Sequence, residues 1–191
     1  MHRSIILAFA CVVLACGPAR EPAAPAEMSH AHGGGSYNLT GIVSNMPSRL
    51  NPDIERMLTR LRTLTAPFQN FQAAGSAGWG TKITDCFSDP QQGGMGFHYG
   101  NTALIDGVVD IDKPELLLYE PLANGQLKFV AVEYIVPYTA WTSPQPPRLF
   151  GQNYHRNDAF GLWVLHVWHF RENPSGIFTD WNPRVSCQYA N

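Results

Sequence analysis

Hydrophobic and polar positions change their period several times along the chain. Ile5–Leu14 is an almost unbroken apolar run of about ten residues, which suits the core of an export signal and is too short to span a bilayer as a helix. Residues 17–40 read as a flexible tether. Pro, Ala, Glu and Gly dominate up to residue 36, and such a segment cannot bury enough surface to offset its ordering entropy. Helical spacing begins at Asn51-Pro52-Asp53, where Asn caps, Pro enters the first turn and an acid meets the positive dipole end. Ile54, Met57, Leu58, Leu61 and Leu64 then recur at helical intervals, with Arg56, Arg60 and Arg62 pointing elsewhere. Pro67 kinks or restarts this helix, which resumes through Phe68 and Phe71 to about Ala74 and ends in the Gly75–Gly80 stretch.

Beyond residue 80 the period is that of strands. Glu115–Glu120 and Leu127–Val136 are β-rich runs flanking Asn124-Gly125, a dipeptide suited to a two-residue turn in which both residues take positive φ. That turn sets Ala123 opposite Gln126 and pairs Glu120 with Phe129, Leu118 with Ala131 and Leu116 with Glu133, all six on one face. Glu120 and Glu133 would then lie roughly 13 Å apart along the ladder. Phe160–Phe170 reads as a central strand. One of its faces carries Leu162, Val164, His166, Trp168 and Phe170, the other Trp163, Leu165, Val167 and His169. The tail from Asp180 to Cys187 is irregular. The expected fold is α+β: an N-terminal amphipathic helix packed on a curved antiparallel sheet, cone- or barrel-like, with a pocket lined by Trp and Phe.

Export changes how the cysteines are read. Residues 1–16 end in Val13-Leu14-Ala15-Cys16-Gly17, similar to a bacterial lipobox in which Cys16 is lipidated and becomes the new N-terminus. An ordinary signal peptide cleaved near Ala15 or Ala19 is the alternative. Residues 41–191 are expected to form a single domain holding only Cys86 and Cys187, and in an oxidising compartment that pair is expected to close a disulfide. A loop of about a hundred residues makes such a staple worth roughly 4–5 kcal/mol. A two-Cys metal site is the alternative, without CxxC spacing to support it. The formal net charge of −2, without any Lys/Arg cluster, leaves no electrostatic footprint for nucleic acid. The expected partners are a membrane, through the lipid anchor, and a metal ion or small molecule; the expected location is the periplasm or the outer membrane.

Candidate chemistry rests on polar residues among apolar ones: His98, Glu120, Glu133 and His166. A carboxylate in such surroundings needs a partner. Two His and one carboxylate brought together by a sheet would form a facial site with open positions for Zn, Fe or Cu. The alternative is that these residues only satisfy one another or the backbone. His155, in a polar loop, is placed with Tyr99, Gln152 and Trp168 at the pocket rim. Met28, His30 and His32 in the tether could hold copper, or merely belong to a linker. No GxSxG elbow, P-loop or dinucleotide fingerprint occurs.

Several segments together resemble a family of uncharacterised exported bacterial proteins. They are Gly94-Met-Gly-Phe-His98-Tyr99, Lys113-Pro-Glu-Leu-Leu-Leu-Tyr-Glu120-Pro, Val130-Ala-Val-Glu133-Tyr, Leu149-Phe-Gly-Gln152, Leu165-His166-Val-Trp168 and Asn173-Pro-Ser-Gly-Ile-Phe-Thr-Asp-Trp-Asn-Pro-Arg-Val-Ser-Cys187. The resemblance implies an exported single domain with the paired Cys. It places His98, Glu120, Glu133 and His166 inside shared motifs and implies no reaction. His169 departs from the pattern, which has an aromatic residue there. The functional expectation is an envelope lipoprotein binding a metal ion or small ligand in a His/Glu-containing aromatic pocket. A metal-dependent enzyme using the same residues, and a structural or interaction module, are the alternatives.

Overall fold

A computed structural model describes residues 50–190 of the chain. The export signal, Cys16 and the Met28/His30/His32 tether lie outside the described residues.

Asn51 caps α1 (Pro52–Thr65), its side-chain oxygen accepting from the Asp53 N–H at 2.8 Å, with Asp53 and Glu55 in the first turn. Leu58, Leu61 and Thr65 form the buried stripe. Leu64, expected in that stripe, is 44% exposed. Thr65 takes the inward position instead, its hydroxyl donating to the Leu61 carbonyl at 2.8 Å. Pro67 sits in a 3-10 turn, Ala66–Gln69, and Asn70 caps a new helix, α2 (Phe71–Ser76), by accepting from Gln72 and Ala73. The helix therefore restarts rather than kinks.

The chain then enters β1 (Thr81–Asp89), β2 (Gly93–Gly100), β3 (Leu116–Pro121) and β4 (Leu127–Pro137). Two short strands follow, β5 (Arg148–Leu149) and β6 (Gln152–Asn153), and the chain returns through β7 (His155–Asn157) and β8 (Leu162–Val167). Six strands form a curled antiparallel sheet, a half-barrel, in the order β1-β2-β3-β4-β8-β7; β5 and β6 pair separately. The expected α+β architecture is therefore the observed one. β8 ends at Val167, so Phe170 leaves the strand face assigned to it and joins the helix-side core.

The β3–β4 hairpin corrects the expected register in two places. Of Asn124 and Gly125, only Gly125 has positive φ, at 76°. Its N–H donates to the Leu122 carbonyl, and Leu122 N–H donates to Gln126. The loop thus has three residues, a turn closed by a left-handed Gly, so Leu122 rather than Ala123 faces Gln126. Glu120 consequently pairs with Lys128 and Tyr119 with Phe129. Val130 is then an extra residue on β4, a bulge whose carbonyl accepts from Phe170 and Arg171. The bulge restores the expected pairs Leu118–Ala131 and Leu116–Glu133. It also turns Phe129 to the opposite face, 5.2 Å from Tyr119.

Alternation sorts the sheet into two faces. Leu117, Tyr119, Val132, Tyr134, Leu165 and Val167 pack with Leu58 and Leu61 of α1 and Ala74 of α2. Leu116, Leu118, Ala131, Ile135, Val164 and Trp168 point the other way, and Val185 of the tail covers part of that face. A Cys86–Cys187 disulfide joins β1 to the tail, closing the two-Cys metal alternative. The tail also pairs by backbone with β2, Gly94 and Asn182 exchanging bonds of 3.0 and 3.1 Å. Gly93, at φ 97°, permits that approach: a Cβ there would lie 2.3 Å from the Asn182 carbonyl oxygen.

Candidate metal centre

Three strands of the tail-side face each supply one functional side chain. His98 of β2 lies opposite Thr84 of β1 and Leu118 of β3. Glu133 of β4 lies between Leu116 of β3 and His166 of β8. His98, Glu133 and His166 are all buried. His98 Nε2 is 3.4 Å from Glu133 Oε2, and His166 Nε2 is 3.8 Å from Glu133 Oε1. One ligand atom from each of the three lies within 4.8 Å of the others. Strand curl brings His98 across the Leu116/Leu118 row. Gly96, at φ 92° and packed against Tyr119, permits the irregular β2 path just before His98; a Cβ there would meet the Tyr119 carbonyl oxygen at 2.5 Å.

Each imidazole is held from behind. His98 Nδ1 is 2.9 Å from Thr84 Oγ1. His166 Nδ1 is 3.0 Å from Asp180 Oδ1, and the other Asp180 oxygen is 3.0 Å from His155 Nε2. Trp168 stacks behind the His166 ring at 12°, its indole N–H donating to the Thr179 carbonyl at 2.6 Å. The result is a His155–Asp180–His166 chain running from an exposed strand to the buried cluster. His166 Nε2, facing Glu133, is buried without any hydrogen-bond partner. A buried ring nitrogen left bare costs free energy unless something meets it.

The charges follow from burial and neighbours. Burial drives the His98 imidazole down to about 3, helped by the facing His166, so it is neutral and offers a lone pair. Burial also lowers His166, but Glu133 and the hydrogen bond and charge of Asp180 outweigh it, and the net direction is upward. Burial raises the Glu133 carboxyl, opposed by His166. Asp180 is resisted by burial, yet hydrogen bonds from His155 and His166 hold it below the usual carboxylate range. In the tautomers that donate Nδ1–H to Thr84 and Asp180, both Nε2 lone pairs turn toward the Glu133 carboxylate. That is the donor set of a two-His, one-carboxylate metal site with an imidazole oriented by a carboxylate. Ligand atoms about 2.1 Å from a tetrahedral ion sit about 3.4 Å apart. The His98–Glu133 separation equals that value, and His166 stands 3.8 Å from the other Glu133 oxygen.

The cluster forms the floor of a cavity of about 180 Å³. Ile83, Phe87, Met95, Ile135, Phe160 and Leu162 contribute much of its wall. The expected Trp lining is not found among the described residues. Two Phe, Met95 and five aliphatic side chains form the apolar part of the lining, while Trp168 backs His166.

The sheet separates the other expected site residues from this centre. Glu120, expected as a ligand, instead accepts from Ser186 N–H at 3.1 Å and anchors the tail. The distance along the ladder keeps it out of the cluster, as the strand spacing indicated. Tyr99 lies on the helix side, its ring 4.5 Å from Phe71. Gln152 sits in the separate two-stranded sheet, paired with Leu149. Of the rim residues, His155 reaches the site through Asp180. Sequence reasoning missed Thr84, Asp180 and Phe160. Asp180 was visible only as part of the tail motif, and nothing local distinguishes Thr84. It also missed Glu115, which accepts from the Ile135 N–H and whose carboxyl burial pushes up to about 8.

The fold and cluster define a small α+β domain with a buried two-His, one-carboxylate group beneath an apolar cavity. No family model, curated protein or solved structure matches the chain.

Proposed function

We propose that this is an exported cell-envelope lipoprotein whose domain holds a divalent transition metal, Zn, Fe or Cu, at His98, Glu133 and His166. The bare, buried Nε2 of His166, aimed at a carboxylate shared with His98, carries the reading. The Tyr154 hydroxyl in the helix-side core is bare as well; what distinguishes His166 is that its bare nitrogen faces a carboxylate shared with a second buried imidazole, all three within 4.8 Å of one another. Three protein ligands leave coordination positions open. That favours the metal-dependent enzyme as the second reading, with the cavity as the place where substrate would meet the ion. Export and lipidation are supported by the apolar run before Cys16 and by the disulfide, which suits an oxidising compartment.

The deciding measurement is elemental analysis of the domain secreted through an oxidising compartment and reconstituted with Zn, Fe(II) or Cu(II). One ion per chain is expected for one of these metals, lost in both His98→Ala and His166→Ala. A parent protein that binds none of them, or metal that survives both substitutions, overturns the metal reading. Cys16→Ser should move the full chain from the membrane fraction to the soluble fraction; unchanged partitioning would remove the anchor.

A further inference from the structure

Resting on the metal reading above, we propose that the site takes a small, largely apolar molecule with one ionisable oxygen head, such as a phenol or a monocarboxylate. Its oxygen would meet the ion and its body would fill the cavity above.

Size sets the first limit. Drug-sized ligands use pockets of roughly 300–1,000 Å³. This cavity, at about 180 Å³, is closer to the roughly 150 Å³ apolar cavity that accepts benzene. Wall chemistry sets the second. Thr84 and Asp180 are already engaged in holding the two imidazoles, and Glu133 belongs to the donor set. Among the described residues Asn157 is the remaining polar lining residue, so the body of a ligand meets Ile83, Phe87, Met95, Leu162 and Phe160. Polyols, sugars and amino-acid zwitterions would lose hydrogen bonds to water and regain few.

Charge sets the third limit. Two neutral imidazoles and one carboxylate leave a net charge of +1 on a divalent ion. Among the described residues no Lys or Arg lines the cavity to add to that charge, and the Asp180 carboxylate is turned to His155 and His166. One anionic oxygen is therefore compensated, whereas a phosphate dianion is not. The mouth agrees with an apolar visitor. Phe160, Ile83 and Phe87 are 59%, 39% and 37% exposed, and the two Phe rings stand 6.5 Å apart. Exposed apolar side chains grouped around an opening mark a binding surface.

The test uses the domain loaded with Co(II), whose visible bands report changes among its ligands. Benzoate and phenol should shift those bands saturably; inorganic phosphate at equal concentration should not. Azide, small enough to need no cavity, serves as the positive control. Leu162→Trp, which fills the cavity from β8, should weaken benzoate at least tenfold while Co(II) and azide binding stay unchanged. Phe160→Ala, at an exposed position that does not threaten folding, should weaken benzoate severalfold. Bands that respond to azide but to neither benzoate nor phenol overturn this proposal and leave the metal reading standing. So does benzoate binding indifferent to both substitutions, or phosphate binding as tightly as benzoate. Failure to bind Co(II) or any other divalent metal overturns the metal reading, and this proposal with it.

Discussion

The two faces of the sheet come from the same strands and treat polarity in opposite ways. On the helix side, Tyr119 and Tyr134 donate to the Phe68 and Ile111 carbonyls, and Trp79 donates to Pro114. Each is an aromatic body with its polar atom directed to a backbone acceptor, Tyr154 alone among these core aromatics leaving its hydroxyl bare, and this face is closed by α1 and α2. On the tail side, two imidazoles and a carboxylate converge under a cavity, and one ring nitrogen has no partner. A sheet selected only for stability would place apolar residues at positions 133 and 166. Alternation by itself produces two inward faces. Which one is a site is decided by what covers it: helices that seal the first, a stapled tail that leaves an opening on the second.

The staple offers the largest test. Replacing Cys86 and Cys187 with Ser frees a loop spanning 101 residues, expected to cost about 4–5 kcal/mol in urea unfolding. Because the tail carries Asp180, metal affinity should fall as well, by 10-fold or more, as expected when a group behind a ligating imidazole is lost. Loss of stability with metal affinity intact would mean that the backbone pairing of Gly94 with Asn182 positions Asp180 without the disulfide.

Leu117→Ala strikes the sealed face. The side chain is fully buried among α1 and sheet residues, so a loss of about 3 kcal/mol is expected from lost transfer energy and the cavity left behind. Metal stoichiometry should remain at one ion per chain, since Leu117 points away from the site. Loss of metal binding at matched folding would show that the faces are coupled, and the comparison would fail.

Much of this division was legible in the sequence because period-two patterning survives local irregularity. The expected pairs Leu118–Ala131 and Leu116–Glu133 hold although the turn between their strands was misread by one residue. Alternation pins each burial face, and the Val130 bulge absorbs the offset before the site is reached. The same bulge is why Phe129 was placed on the wrong face. His98, Glu133 and His166 were legible as polar residues inside apolar runs. Their mutual distance was not, because strand curl and the order β2-β3-β4-β8 are set by pairings far apart in the chain. Thr84 and Asp180 lie in an exposed edge strand and an irregular tail, where neither period nor burial singles out one residue.

His169 puts an imidazole on the sealed face, where its burial makes that face sensitive to acid. Its Nε2 is 2.8 Å from Thr65 Oγ1, its Nδ1 is 3.1 Å from the Val167 carbonyl, and Phe129 and Phe170 surround it. Burial lowers its pKa from 6.5 to about 4. Between those values the unfolded chain binds the proton and the folded one does not, so stability falls as pH drops from 6.5 toward 4. A gap of about 2.5 pH units corresponds to about 3 kcal/mol at the lower end. His169→Phe keeps a ring in the same aromatic surroundings and removes the titration. Its urea midpoint should decline less than that of the parent over this range, the two differing little at pH 7. A parallel decline would assign the acid sensitivity to other groups.

Glu133→Gln should have the smallest effect on stability, and it bears most directly on what the tail-side face is for. Gln keeps the volume of the side chain and removes a charge that burial disfavours. Glu133 makes no hydrogen bond to either imidazole: its oxygens stand 3.4 Å from His98 and 3.8 Å from His166, and the His166 nitrogen it faces is bare. The attraction to His166 that is lost is offset by the burial cost that disappears with the charge, so metal-free protein at pH 7 should change by less than about 1 kcal/mol in either direction. The same substitution removes the anionic ligand and should reduce metal binding at least 100-fold. If instead the metal-free variant loses 3 kcal/mol or more, the magnitude seen when a buried ion pair is broken, Glu133 and His166 cement the sheet. The tail-side face would then be a second sealed core.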